Sequence, residues 1–294
     1  MKHAVLVLAH GDLSILKLML NILDDERFDF YIHIDAKSVE FNPNDLDGCT
    51  KKAKVFFTER IPVFWGHFSL VEAELLLLKA AVNSGVHYDY YHLLSGADMP
   101  LKTANEIDDF FRKRKGKQFV VVWRTDKWRM NYQYPFITMY KRSSNERINK
   151  LKKGVISRVL RFPRKKGTNI QRDKGWIVYC GDEWWSGTDQ LAEFIVAHEK
   201  EIAQYWNGCY IADECLIPTI IKNIEEFDSM LVVEPTREIR WVNCTPYVWR
   251  EGDLRYLLNS TALFARKFST ENINVAIQIA DVLKKRKNEE VTLH

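Results

Sequence analysis

Tyr88-Asp89-Tyr90-Tyr91-His92-Leu93-Leu94-Ser95-Gly96-Ala97-Asp98-Met99-Pro100-Leu101 is the stretch that decides the fold. Its aromatic and aliphatic run reads as a buried strand that stops at a glycine, with an acid and a proline beyond. In an open α/β sheet, ligands bind just past the carboxyl ends of the strands. A strand ending in Ser-Gly-x-Asp-x-Pro therefore puts the Asp98 carboxylate where a polar ligand would sit. A turn that merely contains an aspartate is the plainer alternative. Two more strand ends of the same kind weigh against it: Ala9-His10-Gly11 and His33-Ile34-Asp35.

Working outward, Val5 to Ala9 reads as a buried strand, and Ser14 to Asp24 as a helix with a wide apolar face and Ser14 as its N-cap. Strands follow at Phe28–Ile34 and Val55–Phe57. A long helix spans Ser69 to Asn83, with Ser69 as cap and Glu72 at the capping-box position. A helix from Asn105 to Lys113 and a strand from Gln118 to Trp123 come after the opening stretch. Further on, the pattern predicts a strand at Trp176–Tyr179, helices at Asp189–Tyr205 and Asp213–Ile224, a strand at Met230–Glu234 and a charged amphipathic helix from Asn272 to Lys287. This alternation predicts an α/β fold with a mainly parallel, Rossmann-like sheet flanked by helices. There are no repeats and no low-complexity linker, so one domain over residues 1–294 is expected, with a basic insertion at about 141–174.

Composition narrows the function. At 294 residues with 46% apolar and 13% aromatic content, the chain can bury a large core. No apolar run reaches the roughly 18 residues of a membrane span. The first residues read as a strand rather than a signal peptide. Five scattered cysteines without a C-x-x-C pair fit free thiols in a reducing cytoplasm. Net charge is only +4, but thirteen Lys or Arg stand against two acids between Lys141 and Lys174. A solvated loop is the plain reading of that block. Interleaved Val155, Ile156, Val159, Leu160 and Phe162 also suit an anionic membrane surface, where the protein would sit peripherally at the inner face of the cell membrane. No nucleic-acid motif accompanies the charge, so nucleic acid is not an expected partner.

The motifs that are missing exclude several chemistries. Without G-x-G-x-x-G or G-x-x-x-x-G-K-[ST] there is neither a dinucleotide fingerprint nor a P-loop. There is no G-x-S-x-G and no zinc spacing. The one D-x-D, Asp45-Leu46-Asp47, sits in a polar loop instead of at a strand end. A mononucleotide held here needs its phosphates neutralised by a metal on an acid pair or by fixed Lys and Arg. Tyr210-Ile211-Ala212-Asp213-Glu214 precedes an apolar helical run. The acids there either cap the helix or, in the functional reading, Asp213 caps it and Glu214 is a general base. Leu263-Phe264-Ala265-Arg266-Lys267-Phe268 is either a snorkelling surface pair or a diphosphate clamp.

These pieces, taken in order, resemble the core-2/I-branching enzyme family of glycosyltransferases. That family includes β-1,6-N-acetylglucosaminyltransferases and peptide xylosyltransferases. The resemblance runs from Val5 to Phe268. It rests on His33-Ile34-Asp35, Val63-Phe64-Trp65-Gly66-His67-Phe68-Ser69-Leu70-Val71, Tyr90 to Lys102, Trp184-Trp185-Ser186-Gly187-Thr188, Ala212-Asp213-Glu214 and Leu263 to Phe268. It implies a GT-A-like fold and inverting transfer from a UDP-sugar, most often of N-acetylglucosamine, to a hydroxyl of a glycan or lipid-linked glycan. No cofactor and no metal are implied. Glu214 takes the role of the base, and Lys267 that of the diphosphate lysine. Its partner arginine is Arg240 or Arg250, because Cys244 stands at the matching position. Val7, Asp35 and Trp65 fall near the nucleotide, Asp98 near the donor sugar, and Arg129 and Trp241 near the acceptor. The anchor and disulfide cysteines of the animal enzymes have no counterpart, which suits a bacterial, cytoplasmic member. Two alternatives stay open. One is a metal-dependent transferase using Asp45 and Asp47 with another UDP-sugar such as xylose, glucose or galactose. The other is a non-catalytic membrane-surface binding protein.

Overall fold

A computed structural model describes residues 1–125, 132–133, 148, 151–152, 154–155, 162–163, 169–234, 236–243 and 245–292. Most of the expected basic insertion, together with Arg129 and Cys244, lies outside the described residues.

The strands are β1 (His3–Ala9), β2 (Phe28–Ile34), β3 (Val55–Phe57), β4 (Tyr90–Ser95), β5 (Asp98–Pro100), β6 (Gln118–Phe119), β7 (Val122–Thr125), β8 (Tyr132–Gln133), β9 (Phe162–Pro163), β10 (Tyr179–Gly181), β11 (Ser186–Thr188), β12 (Leu231–Val232), β13 (Arg237–Ile239), β14 (Trp241–Val242), β15 (Thr245–Pro246) and β16 (Phe264–Arg266). The helices are α1 (Ser14–Ile22), α2 (Ser69–Val82), α3 (Ala104–Lys113), α4 (Ile170–Lys174), α5 (Asp189–Ala197), α6 (Glu199–Trp206), α7 (Leu216–Asn223), α8 (Glu225–Met230), α9 (Leu254–Asn259) and α10 (Ile273–Thr292).

Among the described residues, seven strands form the central sheet in the order β12-β6-β11-β4-β1-β2-β3. Neighbours are parallel except at β11, which runs antiparallel to both β4 and β6. The expected α/β class with a mainly parallel sheet is therefore what the chain adopts. β1 reads as a near-continuous apolar run because both of its faces are covered. Val5, Val7 and Ala9 pack with α1 and α10 residues such as Met19 and Ile279. Ala4 and Leu6 face the other way, toward Leu77 of α2 and Ile195 of α5. This is the two-residue side-chain period of a strand serving two cores at once.

Several boundaries differ from the sequence expectation. Gln118–Trp123 is two strands, β6 in the central sheet and β7 paired with β10. The helix expected over Asp189–Tyr205 breaks at His198 into α5 and α6. The strand expected at Trp176–Tyr179 begins only at Tyr179. α7 starts at Leu216 with Cys215 as N-cap residue, so Asp213 and Glu214 lie in the turn ahead of it and neither is its N-cap residue. Neither Ser14 nor Ser69 is an N-cap: the Ser14 amide donates to Asp12 at 2.7 Å, and the Ser69 hydroxyl accepts from the Phe64 amide at 2.9 Å. An α-helical capping box forms instead at Thr103 with Glu106, at the start of α3. No helix among the described residues is long and apolar enough to cross a membrane.

Candidate active site

Parallel register brings three strand ends to one edge. Ala9 pairs with Ile34, and Leu8 with Ser95. The residues that follow, His10, Asp35 and the Gly96–Asp98 turn, therefore share the carboxyl edge of the sheet. The crossing is tight. The Gly96 amide donates to the Leu8 carbonyl at 2.9 Å, and a Cβ on Gly96 would fall 2.8 Å from that of Ala9. A side chain there would push β1 and the Asp98 turn apart.

Asp98 is 1% exposed and fully engaged. It accepts from the Ser95 amide at 2.9 Å, the Ser95 hydroxyl at 2.6 Å and the Arg266 guanidinium at 2.9 Å. The last contact follows from β5 pairing antiparallel with β16, which sets Asp98 opposite Arg266. The Arg266 guanidinium also donates to the Ser95 hydroxyl and lies over the Trp184 ring, 4.1 Å from its centre. Asp98 thus holds a cation in place over an indole, a stronger fixing than either contact alone.

Behind this pair, buried Arg237 of β13 donates to the Ser186 hydroxyl at 2.8 Å and to the Trp185 and Leu93 carbonyls at 2.6 and 3.2 Å. It fastens β13 to β11 and β4. Burial pulls Arg237 down to about 10, with Asp98 and Asp182 opposing, so it stays cationic at neutral pH.

A second set of carboxylates converges from far apart in the chain: Glu74 on α2, Asp182 and Glu183 after β10, and Asp213 and Glu214 before α7. Burial, then the Glu214 charge, raises Asp182 to about 6, while Arg237 and Arg266 pull it back. Burial and the Asp213 charge hold Glu183 well above the ordinary glutamate range, against Arg266. Burial raises Glu74 to about 8; the Trp185 indole N–H, 2.9 Å from its Oε1, opposes this, and the Asp213 charge adds to it. So many carboxylates cannot all be ionised in one low-dielectric place. Burial therefore favours the protonated form of Glu74 and Glu183.

The Glu214 segment is held by backbone. Its carbonyl accepts from the Gly181 amide at 2.8 Å. Gly181 admits no side chain, because a Cβ would lie 1.7 Å from the Val121 carbonyl oxygen. Ile211 donates its amide to the Gly66 carbonyl at 2.9 Å with φ at 55°, a strained conformation for a β-branched residue. Trp65, 48% exposed, stands edge-on to Tyr210 with ring centres 5.9 Å apart, so it borders the Glu214 segment.

Asp35 organises the loop that follows β2. Its Oδ1 accepts from the Lys37 amide at 2.9 Å and the Val63 amide at 3.3 Å, and its Oδ2 lies 3.1 Å from the Lys37 ammonium. Arg60 clamps the same loop through the Ile34, Asp35 and Ser38 carbonyls. Val7 has no exposed surface and is a packing residue of β1.

Lys267 follows β16, with its backbone bracketed by the Tyr247 carbonyl at 3.2 Å and the Trp249 amide at 3.0 Å. At the end of β1, partial desolvation lowers the His10 pKa and the Lys267 charge lowers it further. Arg240 and Arg250 both lie over the Tyr247 ring, at 5.2 and 6.0 Å from its centre. Both arginines expected from the sequence therefore belong to the segment that brackets Lys267. Trp241, 49% exposed, sits on the β14–β15 hairpin beside Arg240.

Asp45 spends its carboxylate in a local capping box with Asn42, in an exposed turn. Among the described residues, no three His, Cys, Asp or Glu side chains are grouped to hold a metal ion. Sequence reasoning passed over Glu74, Asp182, Glu183 and Arg237, and gave Arg266 no role of its own. The Asp182-Glu183 pair between a strand and two tryptophans was a legible signal. Glu74 and Arg237 carried none, since only packing buries them.

A family model for Core-2/I-Branching enzyme matches residues 4–256. Xylosyltransferase 2 from Rattus norvegicus is 23% identical over 302 residues, covering 95% of this chain and 33% of that protein. N-acetyllactosaminide β-1,6-N-acetylglucosaminyl-transferase from Homo sapiens is 22% identical over 311 residues, covering 95% of this chain and 71% of that one. The chain thus spans about a third of the length of the xylosyltransferases it matches. Among solved structures, mouse xyloside xylosyltransferase 1 superposes with a TM-score of 0.44 at 10% identity, covering 92% of this chain and 99% of that one.

Proposed function

The chain belongs to the Core-2/I-branching enzyme family, and from that premise we propose that it is an inverting glycosyltransferase. It moves a sugar from a UDP-sugar to a hydroxyl of a glycan acceptor. The observation that carries this reading is the division of charge at the carboxyl edge of β1, β2 and β4. Carboxylates gather around Glu214, and Arg266, paired with Asp98 at 2.9 Å and within electrostatic reach of Asp182 and Glu183, supplies a fixed cation beside them, with Lys267 next in the chain.

Displacement at an anomeric carbon needs two things. A base takes the acceptor proton, and a cation meets the charge growing on the leaving diphosphate. In this reading Glu214 takes the proton, with protonated Glu183 and Glu74 lowering the repulsion around it. Lys267, with Arg240 or Arg250, meets the diphosphate in place of a metal. These contacts strengthen as negative charge builds on the β-phosphate, so they favour the transition state over the bound substrate. Asp98 acts through Arg266, which it aims at the donor. Trp65 and Trp241 offer exposed aromatic faces for sugar rings.

We assign UDP-N-acetylglucosamine as donor. The similarity to xylosyltransferase 2 supports UDP-xylose as a second reading. A panel of UDP-sugars, assayed for UDP release with and without glycan acceptors, separates the two. Glu214→Gln should lower kcat by roughly 10²–10⁴ with UDP affinity nearly unchanged. A variant that turns over at the wild-type rate removes Glu214 from the mechanism. For the acceptor we propose a lipid-linked glycan, approached through the basic segment at 141–174. The protein should then sediment with anionic liposomes at low salt and release as salt rises, at about 1 kcal/mol per basic residue. Equal sedimentation with neutral liposomes refutes that part.

A further inference from the structure

Two buried thiols lie directly behind the proposed base. Cys180 on β10 and Cys215, the residue after Glu214, are both 0% exposed, and their sulfurs stand 2.9 Å apart. They are 35 positions apart in sequence, and the contact is made by the fold. The Gly181 amide to Glu214 carbonyl bond, at 2.8 Å, joins the residues just inside this pair and fixes the two backbones side by side. The spacing suits a disulfide, which asks for neighbouring backbones and a sulfur separation of about 2.05 Å.

We propose that Cys180 and Cys215 are a reversible dithiol–disulfide pair whose oxidation displaces Glu214 and slows turnover; this rests on Glu214 being the base. The oxidant is a peroxide. One thiolate attacks a peroxide oxygen, forming a sulfenic acid and releasing water. The second thiol displaces the sulfenic oxygen as a second water. Two thiols and one hydrogen peroxide thus give one disulfide and two waters, and a dithiol reductant reverses the change.

Closing the bond must remove about 0.9 Å of sulfur separation. β10 is the fixed partner, because Tyr179, Cys180 and Gly181 are held in antiparallel register against Thr125, Arg124 and Val122 of β7. The other partner is a turn. The Cys215 and Leu216 amides both bond to the Ala212 carbonyl, at 3.0 and 2.9 Å, so residues 212–216 move as a unit. That turn hangs from Ile211, already at a strained φ of 55°. The displacement therefore reaches Glu214, and misplacing a reacting group by about 1 Å costs up to about 10²-fold in rate.

The test uses the full chain, reduced and then exposed to hydrogen peroxide. After acid quenching, maleimide blocking and peptide mapping, the Cys180 and Cys215 peptides should be found joined. Dithiothreitol should release them. Over the same course kcat should fall by about 10- to 100-fold and recover, with UDP affinity unchanged. Cys180→Ala should keep the reduced enzyme's rate and resist peroxide; Cys180→Ser serves if the alanine variant folds poorly, and the mapping needs no variant. Both thiols remaining free, a bridge to Cys49, Cys209 or Cys244 instead, or a bridged enzyme with full kcat each overturn the proposal. A Glu214→Gln variant with the wild-type rate overturns the reading of Glu214, a failure distinct from an active enzyme whose thiols never pair.

Discussion

Removing the Asp98 carboxylate should cost this fold more than it costs any single contact with substrate. Asp98 is 1% exposed and Arg266 15%, so their 2.9 Å pair is largely shielded from water. Asp98→Ala leaves the Arg266 guanidinium without its anion and strips the buried Ser95 amide of its acceptor. It also removes an anion that stabilises buried Arg237. Breaking a buried pair from one side costs about 3–5 kcal/mol. With an unfolding entropy of about 2.1 cal/mol/K per residue, a chain of 294 residues loses about 5–8 °C in Tm for that amount. Asp98→Asn keeps the shape and one acceptor oxygen and loses a charge-assisted bond of about 1.5–3 kcal/mol, which is about 2–5 °C. Thermal melts and urea titrations of both variants read these values. A double variant supplies the sharper check. If the stranded charge is the main penalty, Asp98→Ala with Arg266→Met should be less destabilised than the sum of the single changes. A Tm within 2 °C of wild type for Asp98→Ala, or strict additivity in the double variant, refutes the clamp.

Three further outcomes follow from the charges of the site. Glu74 has its pKa raised from 4.5 to about 8. The native state therefore holds a proton that the unfolded chain has lost above pH 4.5, and stability falls as pH rises toward 8. Glu74→Gln keeps an oxygen for the Trp185 N–H and needs no proton. It should flatten the decline between pH 5 and 8 in thermal melts and raise Tm by a few degrees at pH 8; a parallel decline in the variant sinks the assignment. Lys267→Ala should weaken UDP binding and slow turnover by roughly 10–150-fold, from loss of a charge-assisted contact of about 1.5–3 kcal/mol. Activity should survive excess EDTA, and restoration by Mn²⁺ or Mg²⁺ after EDTA inactivation would replace the lysine reading with a metal one.

The sequence by itself determined the central strands and the sheet edge that His10, Asp35 and Asp98 share. Val5 to Ala9 is apolar throughout, and Phe28 to Ile34 and Tyr90 to Ser95 are mostly aromatic and aliphatic, and all three are buried on both faces, as strands inside a parallel sheet covered by helices are. Each of these strands stops at a Gly or Asp turn, so His10, Asp35 and Asp98 had to share an edge. The family motifs then singled out Glu214 and Lys267. What the sequence could not fix was everything set by pairing of short or distant segments. β11, three residues long, enters antiparallel between β4 and β6. β16, also three residues long, sets Arg266 against Asp98 across 168 positions. Strands this short have too few residues for a two-residue period to show, and register between distant segments leaves no local trace. The carboxylates around Glu214 make the same point. Glu74 lies in an ordinary helical pattern, and only packing against Trp185 removes it from water and raises its pKa. Local pattern assigns a side chain to a face. Its charge state depends on which distant groups the tertiary structure brings beside it, and on how much water they exclude.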